Sequence, residues 1–119
     1  MIEILNQSTD NCLVAHLSGK LTGQEYQQFL GALHERMQKV DAVSMVLVLT
    51  GFEFYGDFEA AKQDYKFSFG EYKRVRRAAF VGDQKWIGWF TCLIGSMTPV
   101  DEKQFPEGQI QPAREWELA

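Results

Sequence analysis

The sequence predicts an α/β fold: a mixed, mostly parallel sheet of four or five strands, with about four helices lying mainly on one face. Three observations predict it. Two strand-like runs open the chain on either side of a polar stretch. After them, strand and helix patterns alternate to the end. One run, "VSMVLVLT" from Val43 to Thr50, is almost wholly aliphatic and β-branched, as in a central strand buried on both faces.

The elements follow in order. "MIEIL" and "CLVAHLS" flank "NQSTDN", a polar stretch suited to a hairpin loop. In the second run Leu13, Ala15 and Leu17 share one face. Cys12, Val14, His16 and Ser18 share the other, which is only half apolar, as on an antiparallel strand partly open to water. "TGQE" (Thr22 to Glu25) fits a capping box and starts a helix, along which Tyr26, Phe29, Leu30, Leu33, Met37 and Val40 form one stripe. After the central strand, Phe52, Phe54 and Tyr55 are expected in a loop. Asp57 is placed to cap a helix in which Phe58, Tyr65, Phe69 and Tyr72 face the sheet and Phe67 points the opposite way. "RAAFVG" reads as a short buried strand, and Asp83 caps a helix from Gln84 to about Met97 that Pro99 stops. A strand near "EKQF" and a helix near Pro112 to Leu118 finish the chain. Right-handed crossovers gather the helices on one side if the strand order steps one way.

Composition narrows the function. At 119 residues and 45% hydrophobic, residues 1–119 are the size of one domain. A net charge of −4 argues against nucleic acid as a partner, because binding phosphates calls for a strong positive excess. Cys12 and Cys92 lie far apart with no CxxC and no histidine cluster, so neither a disulfide framework nor a metal site is signalled, and a reduced cytoplasmic setting fits. The first residues carry no basic and apolar leader, and the longest uncharged run is shorter than the roughly 20 residues that span a bilayer.

Gly82, Asp83 and Trp86 in "VGDQKW" follow the fourth strand, and a run of aromatics follows the third. This order and the G-D-x-x-W element resemble the SpoIIAA-like family, a bacterial branch of the STAS domains. The resemblance implies a non-enzymatic regulatory or binding domain. Its better-known relatives, the anti-anti-sigma factors, switch partners when a serine is phosphorylated in a D-S-x-G-type loop before the helix after the third strand. Here that region reads "TGFEFYGDFEAA": it holds Thr50 and Tyr55 but no serine, and Asp57 follows the loop glycine instead of preceding a hydroxyl.

No residues are expected to be catalytic, and no cofactor is implied. His16 and His34 have no nucleophile visibly paired with them, and no Gly-rich phosphate cradle or GxxxxGK is present. Glu53, Asp57 and Glu59 cluster at a helix start, where they complement the helix dipole.

Aromatic residues are unevenly distributed. Eight of the sixteen Phe, Trp and Tyr residues fall between Phe52 and Tyr72, more than one helix stripe can bury. Charge is uneven too: Lys62 to Lys85 carries a local +4. "WIGWFTCLIGSMTPV" (Trp86 to Val100) has no charge at all. On a helical wheel its bulky residues occupy about 160° of surface, and the other side is the small, uncharged Gly88, Thr91, Cys92, Gly95 and Ser96. Such a helix is expected to be covered on both sides, by the sheet on one and by a neighbouring helix, a second subunit, an apolar molecule or lipid on the other.

The expected function is therefore a non-enzymatic regulatory or binding domain. Its apolar site lies between the second and third helices, at Phe52, Phe54, Tyr55, Phe58, Tyr65, Trp86, Trp89, Phe90 and Leu93. A basic surface of Lys73, Arg74, Arg76, Arg77 and Lys85 lies beside it. The occupants considered are a lipid-like molecule, an anionic membrane surface on the cytoplasmic side, a regulatory protein or a second copy of the chain. The alternative is an anti-anti-sigma-type partner-switching regulator that lacks the usual phosphorylatable serine.

Overall fold

The computed structural model describes residues 1–68, 71–82 and 100–118, and for Phe54, Ala61, Tyr65, Ser68, Glu71, Lys73 and Leu118 it describes the backbone alone. The helix expected from Gln84 to about Met97 lies outside the described residues, as do Phe69, Lys85, Trp86, Trp89, Phe90 and Leu93.

Seven strands are described: β1 (Ile2–Ile4), β2 (Cys12–Leu17), β3 (Gly19–Leu21), β4 (Val43–Val48), β5 (Phe52–Tyr55), β6 (Val75–Val81) and β7 (Asp101–Phe105). Helices α1 (Gly23–Lys39), α2 (Phe58–Ser68) and α3 (Ile110–Leu118) accompany them, and a 3-10 turn spans Glu71–Arg74. The main sheet runs β1-β2-β4-β6-β7. β1 pairs antiparallel with β2, and each later pair is parallel, in register from Cys12 opposite Ser44 through Met45 opposite Ala78 to Phe105 opposite Val81. The order steps steadily away from β2, and α1 and α2 lie together on one face, as right-handed crossovers require.

Local chemistry accounts for the best-defined elements. Thr22 caps α1 by accepting the Glu25 N–H, while the Glu25 carboxylate takes the Thr22 N–H, so two orphan donors are satisfied reciprocally. Tyr26, Phe29, Leu33 and Met37 form the buried stripe of that helix. β4 is buried on both faces, as its continuous apolar run dictates.

Three expectations are corrected. Phe52, Phe54 and Tyr55 belong to a strand and not a loop: β5 pairs parallel with β3 in a second, two-stranded sheet, with Gly19 opposite Phe52 and Leu21 opposite Tyr55. Gly19 (φ +61°) and Gly51 (φ +78°) take left-handed backbone where the chain turns out of β2 and β4 into this pair, and the Gly19 N–H donates to the Gly51 carbonyl at 2.8 Å. In α2, Phe58 does not face the sheet but is 82% exposed, and Phe67, expected outward, is buried at 7%. Ala60 and Phe67 share the inward face, and Phe58 lies about 160° around the helix from Ala60. Finally, Cys12 and Val14 on the half-apolar face of β2 are 0% exposed because α3 crosses to that side, and only His16 and Ser18 at its end are half-buried.

The core therefore has two halves. On the α1 and α2 side, Leu13, Met45 and Phe80 pack against Phe29, Leu33 and Phe67. On the α3 side, Cys12, Val14, Val46, Ala79, Val81 and Phe105 pack against Ala113, with Ile110 and Trp116 partly buried against them.

Candidate functional site

The aromatic region predicted as a site is organised around the N-termini of α1 and α2. Asp57 ends the segment after β5, and its carboxylate accepts the Gly23 N–H at 3.0 and 3.2 Å and the Ala60 N–H at 2.9 Å. One side chain thus serves the first turns of both helices, whose free N–H groups and dipoles favour an anion there. The helices approach closely because α1 begins with glycine. A Cβ on Gly23 would stand 2.7 Å from Glu59 Cγ and 2.8 Å from Glu59 Cβ, and the Gln63 amide donates to the Gly23 carbonyl at 3.0 Å.

About two turns further along α2, Asp64 accepts two tyrosine hydroxyls: Tyr26 Oη donates to Oδ1 at 2.6 Å and Tyr55 Oη to Oδ2. Burial, and then the Asp64 charge, push both phenols well above the ordinary tyrosine range, so they stay protonated and act as donors. Phe52 packs edge-on to Tyr55, with ring centroids 6.4 Å apart. Asp57 and Asp64 are both hydrogen-bond acceptors, and together they tie α1, α2 and β5 to one another.

Phe58 is the exception to this order. It projects from the first turn of α2, and Lys62 and Lys66, also exposed, follow at four-residue spacing along the same ridge. Exposed Asp57 and Glu59 flank it in the chain. Of the predicted apolar set, Phe52 and Tyr55 are in ring contact, and Phe58 stands exposed at the start of α2. Phe54 and Tyr65 are described by backbone only, in β5 and α2.

The predicted basic residues are divided. Arg74 is exposed, and Lys73 has only its backbone described. Arg76 and Arg77 turn to the C-terminus of α3, where Arg76 Nη1 donates to the Glu117 carbonyl at 2.7 Å and Arg77 Nη1 to that of Trp116. The Arg77 guanidinium also lies 5.2 Å from the Trp116 ring centroid. Cations at the last carbonyls of a helix complement its dipole, which gives this pair a docking role for α3.

Sequence reasoning missed Tyr26 and Asp64 as members of the site, because their meeting with Tyr55 depends on how α1, α2 and β5 pack. It also missed Glu117. Here a signal existed: Ile110, Ala113 and Glu117 fall on one helical stripe, so a carboxylate occupies an apolar position. His16 is half-buried with Nε2 3.0 Å from the Thr50 carbonyl oxygen. Among the described residues no three His, Cys, Asp or Glu side chains gather to hold a metal ion, and no helix is long and apolar enough to cross a membrane.

This architecture defines a class. A SpoIIAA-like family profile matches residues 12–116, and the chain belongs to that family, as its G-D-x-x-W element and element order implied. Among solved structures it is similar to an uncharacterized protein of Shewanella loihica PV-4, from the DUF3478 family with a SpoIIAA-like fold. The two are 25% identical with a TM-score of 0.76, over 98% of this chain and 91% of that one. No curated protein matches the chain.

Proposed function

We propose that the chain works as one domain over residues 1–119, a non-enzymatic regulatory module of the cytoplasm. It binds a protein partner through the end of the molecule where α1 and α2 begin. The observation that carries this reading is Phe58, a large apolar side chain left 82% exposed on a helix turn held by Asp57. An exposed aromatic on a rigid turn is the kind of anchor that fills a partner's pocket at little entropic cost. The carboxylates that flank it weigh against burial in an anionic bilayer, whereas Lys62 and Lys66 fit an acidic rim on a protein. Family membership supports a regulatory role. Trp86, Trp89, Phe90 and Leu93 are kept as further apolar contact residues of the proposed site.

The test is affinity capture from the native cell with wild type, Phe58→Ala and Lys62→Glu/Lys66→Glu, beside co-sedimentation with phosphatidylglycerol vesicles. The reading expects a partner held by wild type and lost in both variants, with no vesicle binding. Vesicle binding that the lysine changes abolish would replace it with the membrane reading.

A second reading is partner switching of the anti-anti-sigma type without a phosphorylatable serine. Asp57 favours it, since a permanent carboxylate already serves both helix N-termini where a switch would place a new negative charge. Capture of an anti-sigma-type kinase by wild type would select this form.

A further inference from the structure

Glu117 is a feature that the proposed surface does not use. It lies on the inward stripe of α3 and is 0% exposed; its carboxylate oxygens make no hydrogen bond of good geometry among the described residues, although Ser44 and the Ala79 backbone lie close by. A carboxylate held in this way without its proton would be very costly, since an isolated buried charge loses its hydration and gains little in return. Protonation removes most of that penalty.

The surroundings are known from every element packed against α3. β2 contributes Cys12, whose thiol burial pushes up to about 11, with the Glu117 charge adding to the rise. β4 contributes Ser44, and β6 contributes Arg76, Arg77 and the Ala79 backbone; these four favour the charged carboxylate. From β7, Asp101 pairs with Arg77 at 3.8 Å and Lys103 lies over the Phe105 ring. Tyr72, in the turn that leads into β6, feels the Glu117 charge, and Arg114 on α3 itself has a buried Nε without a partner. Burial outweighs the favourable groups and lifts the Glu117 carboxyl from 4.5 to about 8.

We propose that α3 is a proton-latched cover: it lies on the sheet while Glu117 keeps its proton and lifts when the proton is lost, uncovering Val14, Val46, Val48, Ala79, Val81 and Phe105. The idea is independent of the Phe58 surface, which lies on α2. α3 is suited to lifting, being nine residues long and fastened at its C-terminus by two arginine side chains that reach backbone carbonyls.

Amide hydrogen exchange from about pH 5 to about pH 9, corrected for the intrinsic rate, tests it. The opening constant of the α3 amides should rise about tenfold per pH unit and level off near pH 8, because one proton is released on opening in that window. It should exceed the opening constant of α1 throughout, and Glu117→Gln should make it independent of pH. Glu117→Met, apolar and similar in volume, should do the same. A flat profile in wild type, an unchanged slope in both variants, or α3 opening only together with α1 would overturn the proposal.

Discussion

The Asp57 carboxylate accepts the Gly23 N–H at 3.0 Å, so a residue that caps α2 also completes the first turn of α1 across a gap of 34 residues in sequence. Asp57→Ala removes acceptors from both helices at once and is expected to cost about 1–2 kcal/mol, the upper part of the range for a single cap. Asp57→Asn, which keeps one acceptor oxygen, should cost less. Urea denaturation of the three proteins decides the point, and an effect below about 0.5 kcal/mol for alanine would mean the bridge contributes little.

Tyr26 and Tyr55 donate to the two oxygens of one carboxylate, Asp64. Each tyrosine-to-phenylalanine change is expected to cost about 1 kcal/mol, the net worth of an ordinary hydrogen bond. The double variant should depart from the sum by about 0.5 kcal/mol or more, because the second change strips the carboxylate of its remaining phenol donor. A double-mutant cycle reads this coupling, and strict additivity would show that the two hydroxyls act independently.

Two phenylalanines of α2 should behave oppositely. Phe67 is 7% exposed and meets Phe29 edge-on with centroids 6.0 Å apart, so Phe67→Ala should lose about 3–5 kcal/mol. Phe58, 82% exposed, should give a change within about 0.5 kcal/mol when replaced by alanine. Thermal and chemical melts of the two variants separate an exposed anchor from a core residue.

Stability should fall in alkaline solution. The Cys12 thiol is raised from 9.0 to about 11 by burial, and Tyr26, Tyr55 and Tyr72 are raised above the ordinary tyrosine value by burial and by neighbouring carboxylates. All four ionise more readily in the unfolded chain. The stability they contribute is therefore complete below the unfolded values and is lost as pH rises through the window from about 9 upward. Melting temperatures at intervals from neutral to strongly alkaline pH should decline across that window, and Cys12→Ala should shallow the first part of the decline. At about pH 6, where α3 stays on the sheet, iodoacetamide should leave Cys12 unmodified while the chain is folded, since the thiol is both buried and protonated.

Much of this molecule was legible in its sequence because the signals are local. The Thr22 and Glu25 capping box, the Tyr26 to Met37 stripe and the apolar run of β4 each need only a few neighbouring residues to be read, and each folds as read. The mostly parallel sheet followed from the alternation of strand and helix patterns. Tertiary structure decided the rest. "GKL" and "FEFY" have no strand signature strong enough to pair them, and their ladder exists because β2 and β4 are parallel neighbours that deliver both ends to one place. Which face of α2 turned inward was a contest between two sets of aromatics. It was settled by Phe29 and Tyr72, which offer Phe67 edge contacts, and by Gly23, which lets the helix starts touch and leaves Phe58 outside. The side taken by α3 was likewise beyond the local pattern. Burial of Ile110 and Ala113 against Val14 and Val46 carries Glu117 in with them, so that an ordinary surface residue by composition becomes the buried carboxyl beneath the last helix.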